Sequence, residues 1–417
     1  VANQLLTRQE ITRESLIVLE NETAMVPNVY RDLDQEFGKK GGKIGDTIYV
    51  RKPPRAIGRD GQAYQPEGMT DTQVPVAINQ QSGVDFEFSS AEKFLSLDDF
   101  KNRYLEPYMI ALANKLDFRL ALTAMQNTAQ LVGTPGSTPG LSSTDAFLIY
   151  SQANQRLTEM AFPRKDRCFI ITPGMETGWN DYAKQWFNPS ALIGEQWLKG
   201  EVNGRALGNR WYVDQNTPTQ TLGLFGGTPT ITSTGANQTG TSILTSGWTG
   251  STAVLNTGDV VNFAGCFSVN PQSRQSTGVL QNFVIQNQVT SASGGTATLV
   301  VTPALVPSGQ FQNVSASPAA SALIQCYNTS AAGQSALSGL SLPQGLLFHK
   351  QAYAFVSFPG DVPDGVDMGY EDRNQELGVS LRFVRIWDGY RDMWINRFDV
   401  YYGIGILYQE GGVRITN

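Results

Sequence analysis

One histidine, three cysteines and a few adjacent carboxylates are the side chains of this 417-residue chain with the most obvious chemistry. His349, beside Lys350, would have to carry the proton of any Ser/His/Asp or Cys/His nucleophile system, yet no Gly-x-Ser-x-Gly elbow accompanies it. It therefore reads as a structural residue. Cys168 falls in an apolar, strand-like run at 167–172 and reads as a small core residue, as do Cys266 and Cys326. Three scattered cysteines are too few for a disulfide framework or a four-cysteine metal site, and they fit a reducing compartment. The run Lys39-Lys40-Gly41-Gly42-Lys43 has the composition of a phosphate cradle but neither the order nor the strand-to-helix context of one. The pairs Asp98-Asp99 and Glu371-Asp372 have the groups for acid/base or glycosidase chemistry. The first pair already serves as negative charge at a helix start, and the second reads as polar loop with Arg373 and Asn374. No catalytic, cofactor-binding or metal-ligating residue is assigned, and the expectation is a protein that is not an enzyme.

The remaining chemistry is ionic. Arg51, Lys52, Arg55 and Arg59 crowd a stretch broken by Pro53, Pro54, Gly58 and Gly61. Before it, Ile48 and Val50 alternate with Thr47, Tyr49 and Arg51; after it, a run at 73–88 alternates through Val74, Val76, Ile78, Val84, Phe86 and Phe88. Two strands around a basic, turn-rich tip make a long hairpin. Only Tyr64 offers an aromatic face there, so base stacking is weakly supported. A projecting edge on an isolated subunit is a liability, which favours a contact with another subunit.

The elements around this hairpin are predicted in order. Thr7 and Glu10 form a capping box for an amphipathic helix at 11–22. Ser96 and Asp99 start a long helix at about 97–130, with Tyr104, Tyr108, Leu112, Leu116 and Leu120 at helical spacing and Pro107 as a kink. A third helix spans about 144–160, with Thr144 or Asp145 as cap, and Pro173-Gly174 turns into a helical stretch holding Trp179, Tyr182, Trp186 and Phe187. Near the end, 353–358, 379–387 and 393–402 alternate like antiparallel strands. Between Gly223 and Gly345 the chain changes character: 123 positions hold two charged residues, Asp259 and Arg274, against 66 in the other 294. Ser, Thr, Gly, Asn and Gln with short apolar runs there read as a β-rich module set inside a differently built host.

A chain of this length exceeds what one growing core serves, and 41% hydrophobic residues suffice for several. The formal charge of −6 argues against a sequence-independent nucleic-acid binder. No run is apolar enough for a membrane helix, and no secretory h-region opens the chain, so a soluble, non-exported product is expected. Val1 as first residue suggests an N-terminal removal.

The arm at 5–22, the hairpin opening at 45–54, the helix after Ser96 and the run Gly258-Asp259-Val260-Val261-Asn262-Phe263-Ala264-Gly265, taken in order, resemble the major capsid protein of tailed bacteriophages. Within that HK97-like class the chain is most similar to short-tailed-phage coat proteins with an inserted β-domain. The resemblance implies an α+β capsid fold with an all-β, barrel-like insertion. It places an N-terminal arm at 1–45, an E-loop hairpin at 46–80, and a peripheral domain with a spine helix at 81–140. An axial domain at 141–222 resumes at 346–417 with closing peripheral strands, around an inserted domain at 223–345. It further implies hexamers and pentamers of a shell enclosing double-stranded DNA without sequence-specific binding. A scaffolding protein acts during procapsid assembly in the bacterial cytoplasm, a portal protein occupies one vertex, and no membrane is involved. The almost uncharged insertion departs from a pattern of insertion-domain salt bridges.

In such a shell the basic tip, Arg51, Lys52, Arg55 and Arg59, is expected to meet an acidic neighbour surface, with Asp98, Asp99 and Glu106 as its candidates. A phage tail, fibre or surface adhesin also suits a Ser/Thr/Gly-rich β-module, and a polysaccharide hydrolase with an inserted binding module is a third class. The long helix and the N-terminal arm speak against the fibre.

Overall fold

A computed structural model describes residues 12, 15–17, 19, 23–31, 47–53, 55, 61–62, 72–89, 106–139, 145–183, 205–232, 236–329, 331–358, 360–374 and 378–416. The capping box Thr7/Glu10, the Lys39–Lys43 run, Arg59, Asp98, Asp99, Trp186 and Phe187 lie outside them. Of the predicted arm helix, Thr12, Ser15, Leu16, Ile17 and Leu19 are described, all of them helical. The chain divides into two compact units, one of 1–50, 73–121 and 353–407, the other of 51–72, 122–352 and 408–417.

The first unit is built on a five-stranded antiparallel sheet. Its central strand, Met393–Ile406, pairs with Gln80–Ser89, Tyr353–Phe358 and Val379–Asp388, and the last of these pairs with Met368–Asn374. Three of these strands coincide with the runs read as alternating at 353–358, 379–387 and 393–402, but much of each is buried on both faces: Tyr353 to Ser357 are all buried, and Leu381, Phe383, Phe398 and Val400 are core residues. Met368–Asn374 corrects the loop expected around Glu371 and Asp372. Its polarity hides it, and pairing of Glu371 opposite Arg382 offsets the charge. The run predicted at 73–88 is two strands, Thr72–Ala77 and Gln80–Ser89, and only the second joins this sheet. The long helix is described over Glu106–Asn127. Met109, Leu112, Ala113, Leu116 and Leu120 form its buried stripe, and Tyr108 stacks on Phe86 of the sheet at 4.9 Å. Pro107 is the second residue of that span, so the kink expected at it falls at the edge of the described helix.

Two buried carboxylates organise this unit. Asp117, on the helix, accepts the backbone N–H groups of Ala24, Met25 and Val26 at 2.5 to 3.2 Å and so ties the turn at Val26–Asn28 to the helix. Asp399 accepts from Arg382 at 2.6 Å, Arg397 at 2.7 Å and Gln81 at 3.0 Å. Opposite it in the ladder is Gly83, where a Cβ would come within 2.7 Å of both Asp399 Oδ1 and the Phe398 carbonyl.

The second unit contains a seven-stranded mixed sheet and a barrel. The sheet runs Gln130–Val132, Gly412–Thr416, Ser341–His349, Arg167–Ile171, Asn209–Val213 and Arg205–Ala206, with Thr219–Thr221 also pairing to Ser341–His349. Helices Ala146–Glu159 and Pro173–Ala183 cover it over an aromatic core of Tyr150, Phe169, Trp179 and Trp211. Asp145 caps the first helix by accepting from Leu148 N, and Thr172 Oγ1 accepts from Met175 N at the start of the second.

In the low-charge stretch, six antiparallel strands run in the order Ile324–Cys326, Val260–Val269, Ser276–Ile285, Ala297–Leu305, Gly240–Trp248, Gly227–Ile231. Ile231 donates to the Ala322 carbonyl and Ser321 to the Ile231 carbonyl, which joins the last strand to the segment leading into the first and closes a barrel. Closure leaves no open edge to aggregate, so the strands dispense with charged side chains as edge protection. The barrel core, with Phe263, Phe283, Ile285, Leu299 and Val301, runs on through Leu131, Leu222 and Leu342 to the neighbouring sheet. All of these residues belong to the same unit.

Candidate functional site

The strand Thr47–Lys52 forms a two-stranded sheet with Thr72–Ala77. None of its six residues is buried; every second one is exposed, Tyr49 to 62%. Arg51 is exposed, whereas Lys52 and Arg55 are partly buried and engaged with their own chain. Lys52 Nζ lies 4.9 Å from the centre of the Tyr408 ring, and Arg55 donates to Glu410 at 3.2 Å. Burial lowers the Lys52 pKa; nearby Glu410 works against that and Arg55 adds to it. Burial likewise raises the Tyr408 hydroxyl. The Arg55 carbonyl accepts from Gln310 Nε2 at 2.7 Å, and Gln409 Nε2 donates to Thr302 Oγ1 at 2.9 Å. The basic stretch thus leaves an exposed strand and, where that strand enters the turn-rich tip, is pinned to its own chain at Lys52 and Arg55, which form the root of the tip. Glu106 is exposed, and Arg59, Asp98 and Asp99 lie outside the described residues, so their expected pairing with the tip is a question of contacts between copies.

Of the two charges of the barrel region, Asp259 is fully buried and Arg274 is partly buried at a turn. Asp259, fully buried, accepts from Gly223 N at 3.0 Å, Asn256 N at 2.8 Å and Gln220 Nε2 at 3.0 Å. Burial raises its pKa to about 6 despite these bonds and the attraction of Arg414. Arg414, equally buried, donates to the Gly258 carbonyl at 2.6 Å, Gln344 at 3.1 Å and Tyr327 at 3.3 Å. Arg274 donates to the carbonyls of Gly309 and Gln310. Each of these charges is engaged by groups of its own chain. Glu410, Tyr408, Gln310 and Arg414 went unnoticed in the sequence because their partners lie up to 355 positions away and no local spacing signals them.

The residues with catalytic chemistry are placed as core. His349 is buried against Phe162, accepts from Gln351 N at its Nδ1, and has its pKa lowered by burial. All three thiols are free and buried, and burial raises their pKa values, that of Cys266 to about 11, which keeps them protonated and unreactive. A cleft of about 670 Å³ beside helix Ala146–Glu159 is lined by polar side chains including Asn154, Glu159 and Arg164. Its Arg167 is committed to the carbonyls of Pro163, Phe162 and Asn154. Among the described residues no three His, Cys, Asp or Glu side chains are grouped to hold a metal, and no helix is long and apolar enough to cross a membrane.

Solved structures similar in fold include one from Mycobacterium phage Che8, 14% identical over 94% of this chain and 90% of that one, with a TM-score of 0.46. The capsid of Ralstonia phage GP4 is 8% identical over 90% and 84%, with a TM-score of 0.42. The capsid of the cyanophage P-SCSP1u is 11% identical over 89% and 83%, with a TM-score of 0.40. No curated protein sequence matches the chain. The family model of the P22 coat protein, gene protein 5, matches residues 52–416, from the root of the basic hairpin to the last strand. The α+β fold is that of the HK97-like capsid proteins, the function is that of a structural major capsid protein, and the chain belongs to the P22 coat protein family.

Proposed function

We propose that the chain assembles as hexamers and pentamers of a shell around double-stranded DNA, in the cytoplasm of the host bacterium. A scaffolding protein guides assembly and a portal protein occupies one vertex. The role is structural and not catalytic, in keeping with a histidine and thiols that are buried in the core. Domains follow the plan of arm, hairpin at 46–80, peripheral domain at 81–140, and axial domain at 141–222 and 346–417, with the barrel as an insertion at 223–345. The observation that carries the reading is the hairpin strand: six ordered residues, none buried in their own subunit, on a root pinned by Glu410, Tyr408 and Gln310. Such a ribbon gains its buried area from another copy. The net charge of −6 suits a container whose wall does not adsorb its DNA.

Electron microscopy of the purified protein, with and without its scaffold, tests this: closed shells are expected, and fibres or persistent monomers with scaffold present would refute it. The ionic part has its own test. Arg51→Glu with Arg59→Glu should impair assembly while leaving the monomer folded, and Asp98, Asp99 and Glu106 are the proposed acidic counterpart. Arg55 is left intact because it serves Glu410. Normal shells from the double variant would remove the pairing.

A further inference from the structure

We infer that the barrel positions the basic hairpin, through a relay from Arg274 to Gln310 to the backbone of Arg55, and that Arg274 and Gln310 are therefore positioning residues for assembly. The inference rests on the reading of the hairpin as an intersubunit element.

The relay begins at the turn between the barrel strands Val260–Val269 and Ser276–Ile285. There Asn270 Oδ1 accepts the backbone N–H groups of Gln272 and Ser273, Arg274 N donates to the Asn270 carbonyl, and Asn270 Nδ2 is anchored on the Glu159 carbonyl. This turn aims the one cation of the low-charge stretch at the loop after Ala297–Leu305, where it donates to both the Gly309 and Gln310 carbonyls. Two bonds from one planar guanidinium fix the direction of the loop as well as its distance. Gln310, held by its backbone, then extends its side chain to the Arg55 carbonyl at 2.7 Å. The bond goes to main chain two residues past Pro53, in a stretch where prolines have removed backbone donors. On the same root, Arg55 reaches Glu410 and Lys52 covers Tyr408, while Gln409 donates to Thr302 of the barrel. The barrel therefore grips the hairpin root directly through Gln310 and indirectly through the turn at 408–410. Residues 51–72 cluster with the unit that contains the barrel, in agreement with this grip.

A guanidinium joins two coplanar donors to a longer reach than the glutamine amide, which also offers two donors but on a shorter side chain, and this suits the lone cation at the turn. The barrel thereby shapes contacts between copies without touching a neighbour with charge of its own.

The test uses full-length Gln310→Ala, Arg274→Ala and Arg274→Lys, with amide hydrogen exchange on the unassembled subunit and electron microscopy after assembly with scaffold. Removing one hydrogen bond at the root should speed exchange of the 51–55 segment ~5-fold in Gln310→Ala. Exchange within the barrel strands at 260–285 should stay as in the wild type. Regular closed shells should give way to open or misshapen ones. Arg274→Ala should do the same, and Arg274→Lys should recover part of the loss because the ammonium can still donate to the loop carbonyls but without the planar fork that fixes direction. Unchanged exchange at 51–55 overturns the relay, and faster exchange with normal shells overturns its role in assembly. A general rise throughout the barrel in all three variants also overturns it, by making these residues merely stabilising. If the wild type itself forms no shells, it is the assembly reading that has failed, and the exchange result still decides the relay.

Discussion

The five-stranded sheet and the barrel handle charge in opposite ways. In the sheet, buried Asp399 collects Arg382, Arg397 and Gln81, and Arg385 pairs with Asp367 at the surface while lying over Trp394. Charges there come in clusters, so one donor can be lost while others still compensate the acid. In the barrel, Asp259 is the single acid of 123 residues, and its acceptor oxygens serve two backbone N–H groups that have no other charged partner to turn to. Rarity of charge in a module thus marks positions of high consequence, whereas density marks tolerance.

The contrast can be broken most directly at Asp259. Asp259→Ala leaves the N–H groups of Gly223 and Asn256 and the nearby Arg414 uncompensated in a buried site, and should cost about 3 kcal/mol in urea unfolding. A loss no larger than that of Arg382→Ala would remove the distinction. The same carboxyl sharpens it through pH. Its pKa in the folded chain is raised from 3.8 to about 6 by burial, so between those values the folded state holds a proton that the unfolded state has released. Stability from this group is fully present below about pH 4, falls as pH rises through about 6, and is level above. Asp259→Asn should lack that slope, and a wild-type slope in the variant would assign it to another group.

Next in size is Gly83→Ala in the sheet. The added Cβ collides with Asp399 Oδ1, which cannot move without loosening its bonds to Arg382, Arg397 and Gln81, and with the Phe398 carbonyl of the main chain, and the expected cost is ~2 kcal/mol. Wild-type stability would mean that the cluster around Asp399 repacks more freely than its geometry suggests. Smallest is Arg382→Ala, at ~1 kcal/mol, because Arg397 and Gln81 remain on Asp399. A cost of 3 kcal/mol there would show the sheet's charges to be as indispensable as the barrel's.

Much of the fold was legible where one face of an element is buried and the other wet. The stripe from Met109 to Leu120 follows from that asymmetry, whereas Tyr353–Phe358, Val379–Asp388 and Met393–Ile406 were legible as short apolar, strand-like runs and are buried over much of both faces. Met368–Asn374 was hidden because all its residues are exposed or half-buried, so no apolar period marks it. The basic stretch was legible as charge and breakers, but not its division into an exposed Arg51 and an engaged Lys52 and Arg55. That division depends on Tyr408 and Glu410, which no spacing connects to it.

By itself the sequence determined composition-level facts: a charge-poor stretch between 223 and 345 with strand-like runs, a long amphipathic helix, and a basic stretch between alternating runs. These are properties of runs, and runs carry period and polarity. Tertiary structure decided what individual charges do, turning Asp259, Arg274 and Arg414 into internal anchors and Lys52 and Arg55 into a root. The physical reason is that burial and partner choice are set by three-dimensional proximity, and a charge's energy depends on its surroundings far more than on its neighbours in the chain.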